Sequence, residues 1–123
     1  MALACNITYV GRLGSQVRVG FKLIPSGTYP TGGDTINFAT AGVDPSFVGM
    51  CPDIPSFGPP INLDIWSNGG NITTVYVPVV GTTQINSKMK GYSALTTEFT
   101  GAAAYPASAL ADTIVGEATF NAL

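Results

Sequence analysis

The sequence predicts an all-β fold: a single-domain antiparallel β-sandwich or small barrel of about eight short strands. Fifteen glycines and nine prolines are spread over the 123 residues, and they interrupt helices throughout the chain. Apolar and polar residues alternate with a period of two in several segments, whereas no long window keeps the 3.6-residue period of an amphipathic helix. A chain of this length has room for one hydrophobic core, so residues 1–123 are expected to form one domain.

The N-terminal part contains three predicted strands. Asn6 to Val10 is the first, and the glycine-containing residues 11–15 turn the chain into the second strand, Gln16 to Leu23. Alternate residues of this second strand are apolar and define an inward face, formed by Val17, Val19, Phe21 and Leu23. The Gly-Gly turn at Thr31 to Asp34 precedes a short third strand, Thr35 to Phe38.

Residues 41–60 break the alternating pattern. Their prolines and glycines exclude a central strand, yet the segment is too apolar for a free linker. We predict an ordered, irregular Pro-rich loop or arm that packs either on its own domain or on a neighbouring molecule. Its apolar residues are candidates for an interface: Phe47, Met50, Ile54 and Phe57.

The C-terminal half is predicted to contain five strands and one helical turn. Ile61 to Trp66 is the first of these strands, with Ile61, Leu63 and Ile65 facing inward. Asn68 to Asn71 has the composition of a hairpin turn. The alanine-rich segment from Gly101 to Ala111 would hold one helical turn, with Pro106 at an early position. The other predicted strands cover residues 72–80, 84–92, 93–100 and 112–120.

The inventory of reactive side chains predicts a non-enzymatic protein without a cofactor or metal. The chain has no histidine, which removes the usual base of nucleophilic sites and the commonest metal ligand. Its seven acidic residues fall in turns or on polar strand faces, and no pattern pairs two of them as a glycosidase would require. Cys5 and Cys51 are expected to be free, buried thiols, with a disulfide as the alternative.

Charged residues make up 10% of the chain, against about 25% in an ordinary soluble domain. Such a neutral surface suits a protein that is covered by neighbours. Five basic residues are too few for the phosphate contacts of a nucleic-acid-binding protein. The N-terminus lacks a secretory pattern, and no segment approaches the ~20 apolar residues of a membrane helix. We therefore expect neither a nucleic-acid nor a membrane partner.

Three short stretches carry a resemblance: Gly27 to Asp34 (GTYPTGGD), Pro78 to Thr83 (PVVGTT) and Ala103 to Ala107 (AAYPA). They are similar to segments of small virion proteins of tailed bacteriophages. The resemblance implies a head decoration, or cement, protein that is made in the host bacterial cytoplasm and sits on the capsid exterior. Proteins of this kind often form trimers and brace neighbouring subunits of the major capsid protein.

Aromatic residues at strand edges extend the set of interface candidates and raise an alternative function. Trp66 and Tyr105 join the arm residues because Trp and Tyr are enriched at protein interfaces. The alternative is a carbohydrate-binding or host-adhesion β-sandwich that uses Trp66, Tyr76 or Tyr92 as a stacking platform. A phage tail or head-completion protein with the same fold is a third possibility, and no feature of the sequence separates it from a cement protein.

Overall fold

A computed structural model describes residues 3–40, 42–43, 57–69, 74–94 and 97–122. Strands dominate this part of the chain, and it contains a single short α-helix. The predicted all-β fold class is therefore confirmed. The same described ranges contain no helix that is long and apolar enough to cross a lipid bilayer.

The elements are numbered in chain order. The strands of the described segments are β1 (Leu3–Leu13), β2 (Gln16–Pro25), β3 (Thr28–Tyr29), β4 (Asp34–Ile36), β5 (Gly42–Val43), β6 (Phe57–Ser67), β7 (Val75–Val79), β8 (Ser87–Ala94), β9 (Thr97–Glu98), β10 (Ala103–Ala104) and β11 (Ile114–Ala122). A 3₁₀ turn covers Phe38–Thr40, and helix α1 covers Ala107–Leu110.

The strands form two main sheets and a small one. The five-stranded sheet has the order β5-β1-β2-β11-β6, and its pairs are antiparallel except for the parallel pair of β1 with β5. The four-stranded sheet has the order β4-β8-β7, with β9 also paired to β8. β3 and β10 form the small antiparallel pair.

The two main sheets bury one shared apolar core, which makes them the layers of a sandwich. The predicted inward face of β2 is confirmed, because its four apolar side chains are at most 2% exposed. Phe38 lies between the layers, and its ring centroid is 5.3 Å from that of Phe21 and 5.2 Å from that of Phe120, edge to face. Ile36, Tyr76 and Met89 contribute the buried face of the four-stranded sheet.

The β1–β2 hairpin is tighter than predicted. The strands extend to Leu13 and Gln16, so the turn consists of Gly14 and Ser15 alone. Gly14 adopts a positive φ of 65°, a conformation that two-residue hairpin turns require and that glycine adopts without steric cost.

The predicted loop over residues 41–60 is wrong at both ends. Gly42–Val43 forms β5, and Phe57–Pro60 begins β6. Proline is tolerated in β6 because this strand lies at the edge of its sheet. Residues 41 and 44–56, which include most of the predicted arm, lie outside the described residues.

A β-bulge in β6 overturns the predicted inward position of Ile61. Thr119 pairs with Asn62 and Phe120 pairs with Pro60, so Ile61 is the extra residue of the bulge. Pro60 is buried in its place, and Ile61 is 49% exposed. Leu63 and Ile65 are buried as predicted.

The predicted hairpin at Asn68 to Asn71 is also wrong, because β6 and β7 belong to different sheets. The Asn68 amide donates to the Thr113 carbonyl oxygen at 2.7 Å, which ties the end of β6 to the start of β11. The chain then crosses to β7, an edge strand that contains Pro78. Strand alternation alone does not reveal which neighbouring strands share a sheet.

The later elements follow the sequence prediction in part. β8 and β11 overlap the predicted strands, and the predicted helical turn is confirmed as α1, with Pro106 just before it as the N-cap. Of the strand predicted over residues 93–100, Ser93 and Ala94 belong to the end of β8 and Thr97–Glu98 form β9. The third predicted strand is divided between β4 and the 3₁₀ turn, because Phe38 leaves the strand to pack between the layers.

Gly116 provides a test of this packing. A Cβ built at this position would lie 2.4 Å from the Asp64 carbonyl oxygen and 2.5 Å from Cζ of Phe21. We expect Gly116→Ala to lower the free energy of unfolding by about 1–3 kcal/mol, because it overpacks the core against backbone. The urea midpoint of unfolding measures this loss.

Gly11→Ala is the matched control, since no atom lies within 4 Å of a Cβ at Gly11. Its midpoint should stay near that of the parent protein. Equal losses in the two variants would contradict the described packing of β11 on β2.

Candidate interaction surfaces

The structure separates the predicted interface residues. Trp66 is 43% exposed on β6, whereas Tyr105 is 3% exposed and lies in the core. The prediction of Tyr105 as a surface contact is therefore wrong: its ring packs edge to face on Tyr29, with centroids 5.5 Å apart. Phe57 begins β6, and its side chain lies outside the described residues, as do Phe47, Met50 and Ile54 entirely.

Tyr105 is buried because its hydroxyl group has a buried partner. Its Oη donates to Oδ2 of Asp34 at 2.6 Å, and Oδ1 of Asp34 accepts the Thr35 amide at 2.9 Å. Asp34 is 3% exposed, and a buried carboxyl group needs such partners to offset its loss of water. The pair fixes the loop after β10 to the start of β4.

Two further tyrosines donate to carboxylates in the same manner. Oη of Tyr29 donates to Oε2 of Glu98 at 2.7 Å and accepts the Gly91 amide at 3.2 Å. Oη of Tyr76 donates to Oδ2 of Asp112 at 2.7 Å. Asp112 also accepts from Oγ of Ser67 at 2.8 Å, so this group joins β7 of one layer to the ends of β6 and β11 in the other.

These surroundings disfavour ionisation of the three phenols. Burial, and then the hydrogen bond to its carboxylate, raises the pKa of Tyr29, of Tyr76 and of Tyr105 above the ordinary tyrosine value. The proton therefore stays on each tyrosine, where it makes the hydrogen bond.

The same burial removes one member of the predicted stacking platform. Tyr76 is 5% exposed and packs inward from β7. Trp66 lies on β6 in the five-stranded sheet, while Tyr92 is half-buried on β8 in the four-stranded sheet. Trp66 and Tyr92 thus belong to different layers, and a single sugar-stacking surface cannot use both.

The outer face of the five-stranded sheet carries Trp66 beside apolar neighbours. Trp66 pairs with Val115, which pairs in turn with Lys22. Ile24 and Leu110, which are 50% and 53% exposed, line a shallow groove next to Lys22. We call Trp66, Val115, Ile24 and Leu110 the tryptophan patch.

Farther along the same face, polar side chains are paired with one another. Tyr9 lies across Gly20, where a Cβ would come within 2.1 Å of its ring. Its hydroxyl group is hydrogen-bonded to Glu117, whose Oε1 is 3.6 Å from Nε of Arg18. This pairing neutralises Arg18 and Glu117, whereas Lys22 lies directly beside the tryptophan patch.

The outer face of the four-stranded sheet has a different composition. β7 presents three valines, and β8 presents two lysines and a tyrosine directly opposite them: Val75 pairs with Tyr92, Val77 with Lys90 and Val79 with Lys88. Val77 and Val79 are 38% and 39% exposed. Directly opposite side chains lie about 5 Å apart, so the six residues form one continuous surface, which we call the valine–lysine face.

The described segments contain no group of three or more Cys, Asp or Glu residues placed to hold a metal ion. Burial raises the pKa of the Cys5 thiol to about 12, so it remains protonated and unreactive at neutral pH. Cys5 is free, as expected from the sequence, and Cys51 lies outside the described residues. The absence of enzymatic activity stays a prediction.

The chain matches no protein-family model, and no significant similarity relates it to a curated protein or to a solved structure.

The tyrosine–carboxylate pairs predict a loss of stability at alkaline pH. An unfolded tyrosine titrates near pH 10, and the pKa values of Tyr29, Tyr76 and Tyr105 are higher than this in the folded chain. The folded state therefore retains protons that the unfolded state loses. Stability from the three groups is complete below about pH 10 and falls as the pH rises further. The urea concentration at the unfolding midpoint, measured from pH 7 to 11, should be constant up to about pH 10 and then decline. An increase of this midpoint between pH 10 and 11 would contradict these pairs.

Tyr105→Phe tests the most buried pair. The variant leaves Oδ2 of Asp34 without the hydrogen bond from Tyr105, and we expect a loss of about 1–3 kcal/mol in the free energy of unfolding. Tyr92→Phe is the control, since this ring lies half-buried on the outer face. The two urea midpoints should differ clearly, and equal midpoints would mean that Asp34 has no need of the Tyr105 hydroxyl group.

Proposed function

We propose that this chain is a non-enzymatic structural protein of a phage virion, a decoration protein that binds the outside of the head and bridges subunits of the major capsid protein. The observation that carries this proposal is the valine–lysine face. Val77 and Val79 expose apolar surface on a pair of strands in unbroken register, a surface suited to contact another protein. The resemblance of the stretches 27–34, 78–83 and 103–107 to small virion proteins supports the capsid as the partner.

The energetics of such contacts suit a repeated lattice. Apolar burial stabilises a complex by about 25 cal/mol per Å² before the cost of association is subtracted, so a face of this size gives a modest contact. A capsid presents the same site many times, and a protein that engages two sites at once gains from their high effective concentration. A decoration protein can therefore be held firmly by weak individual contacts.

Bridging requires two separate contact surfaces, and the sandwich offers them on opposite layers. The valine–lysine face covers the four-stranded sheet, and the tryptophan patch lies on the five-stranded sheet. In the proposal, one surface contacts a capsid subunit and the other contacts a second subunit or a sister copy within a trimer. The low charge content of 10% supports extensive coverage by neighbours, because few charges have to be desolvated.

Cryo-electron microscopy of virions from the encoding phage tests the location. We expect density for this chain in many copies at local three-fold or quasi-three-fold positions on the outer capsid surface. Density confined to the tail or portal would assign the protein to a connector or completion role. No density on the particle would overturn the proposal.

A binding assay on undecorated heads tests the valine–lysine face. Val77→Ser with Val79→Ser should weaken binding about tenfold or more, because two exposed apolar side chains leave the contact. Ile61→Ser removes an exposed apolar side chain from β6 in the other sheet and serves as the control. Undiminished binding by the folded double variant would exclude this face as the contact.

Trp66 supports a second candidate, a carbohydrate-binding or host-adhesion function, because an exposed Trp can stack on a sugar ring. With Tyr76 buried and Tyr92 on the other layer, Trp66 would act without either of them. A glycan array with the folded protein tests this candidate. Hits that disappear in Trp66→Ala would favour it over capsid decoration.

A further inference from the structure

The charges of the valine–lysine face have no partners within the described part of the chain. Within the described residues, the ion pair is that of Arg18 with Glu117, which lies on the five-stranded sheet. Lys88 and Lys90 lie on the outer face of β8. Glu98 pairs with Tyr92 at the end of this face, and its carboxylate accepts the hydroxyl group of buried Tyr29. The face is thus locally positive, although the whole chain has a net charge of −2.

The two lysines are held in a defined relation to the valines. Lys90 pairs with Val77, and its Cγ passes over Gly33, lying 3.2 Å from a Cβ built there. Lys88 stands between Val79 on one side and Thr35 on the other. Since the two lysines are two residues apart on one strand, their stems emerge about 7 Å apart along it.

This arrangement disfavours a second copy of the chain as the occupant. Two valine–lysine faces packed on each other would bring four ammonium groups into one interface. Among the residues that the structure describes, the carboxylate beside each face is Glu98, which lies opposite Tyr92 and accepts the Tyr29 hydroxyl group, so an excess of like charge remains and is repulsive. The other outer face carries exposed Asp64 opposite Glu117, and Glu117 contacts Arg18, so packing of this face on the valine–lysine face of a second copy is an outcome that the oligomeric state tests.

We infer that the valine–lysine face docks a different protein, whose contact surface combines apolar side chains with at least two carboxylates placed to meet Lys88 and Lys90. The valines supply the apolar contact, and the lysines set its register and exclude basic partners. The inference deepens the proposed function and rests on it in one respect: the acidic partner is then the capsid subunit beneath.

The same face is poorly suited to nucleic acid or to an anionic membrane. Binding to a polyanion grows with the number of phosphates neutralised, and this face supplies two cations with a column of valines beside them. An acidic and partly apolar protein surface can contact the lysines and the valines at once, whereas the phosphates of a nucleic acid or lipid surface contact the lysines alone.

Chromatography on defined surfaces tests the face without a capsid. At pH 7 and low salt, the full chain is applied to three resins: a mixed resin bearing carboxylate and alkyl groups, a carboxylate resin and an alkyl resin. Its net charge of −2 predicts exclusion from carboxylate, so retention that is strongest on the mixed resin must come from a local basic and apolar face. Lys88→Gln with Lys90→Gln should weaken this retention roughly tenfold, as expected for two exposed charge contacts.

Arg12→Gln with Arg18→Gln is the matched control, since it removes the same charge from exposed side chains of β1 and β2 in the other sheet. The inference predicts that this control keeps the retention of the parent chain. Equal losses in the two double variants, or no preference of the parent chain for the mixed resin, would overturn it. Circular dichroism verifies that both variants are folded.

Three further measurements compare the other occupants. Sedimentation velocity should show that the lysine variant and the parent chain have the same oligomeric state. A different oligomeric state of the variant would mean that the face is a contact between copies of this chain, and the inference would be wrong. Single-stranded DNA and phosphatidylserine vesicles should bind more weakly than the mixed resin, and tighter binding to either would overturn the inference. If the resin results are as expected but undecorated heads do not bind the chain, the inferred acidic partner is supported and the capsid proposal is wrong. If undecorated heads bind the Lys88→Glu, Lys90→Glu variant as tightly as the parent chain, the capsid proposal is supported and the inference is wrong.

Discussion

The buried carboxyl group of Asp34 is the constraint on which the arrangement of this sandwich depends. With 3% exposure, it must find its hydrogen bonds inside the protein, and it finds them in Tyr105 and the Thr35 amide. Tyr105 can reach it only if the segment between β10 and α1 crosses the edge of the core. The rings of Tyr29 and Phe99 then pack around Tyr105, so one polar contact organises the aromatic cluster and, through it, the position of the small third sheet.

Polar contacts also explain how two strongly apolar layers keep a single register. Hydrophobic burial is non-directional, and aliphatic and aromatic side chains alone would tolerate small slides of one sheet over the other. The Tyr76–Asp112–Ser67 group does not, because a hydrogen bond of 2.7 Å joins Tyr76 of one layer to Asp112 of the other, and Ser67 holds the same carboxylate at 2.8 Å. Because interior contacts fix the register of the layers, the side chains of the outer faces are not needed for it. The valine–lysine face and the tryptophan patch lie on these outer faces.

The fold class was predictable because strand alternation is local. β2 and β11 show this clearly: alternate residues of each are buried, as their composition predicts. The position of Ile61 was not predictable, since it depends on a bulge opposite Thr119 and Phe120, about 60 residues away. The burial of Tyr105 likewise depends on Asp34, 71 residues distant. The valine–lysine face could have been found from the alternating valines of residues 75–79 opposite Lys88 and Lys90, had the pairing of β7 with β8 been recognised.

Pro78 in β7 has a consequence for the behaviour of this protein in concentrated solution. An unpaired strand edge is a template on which strands of other molecules can add, which is how cross-β fibrils grow. In an edge strand, proline turns the side that lacks an N–H group toward the outside, so the row of donors along β7 is interrupted in its fourth residue. In concentrated solution, copies of the chain can therefore contact one another through the side chains of their sheet faces, whereas a continuous ladder of backbone hydrogen bonds cannot extend from the β7 edge.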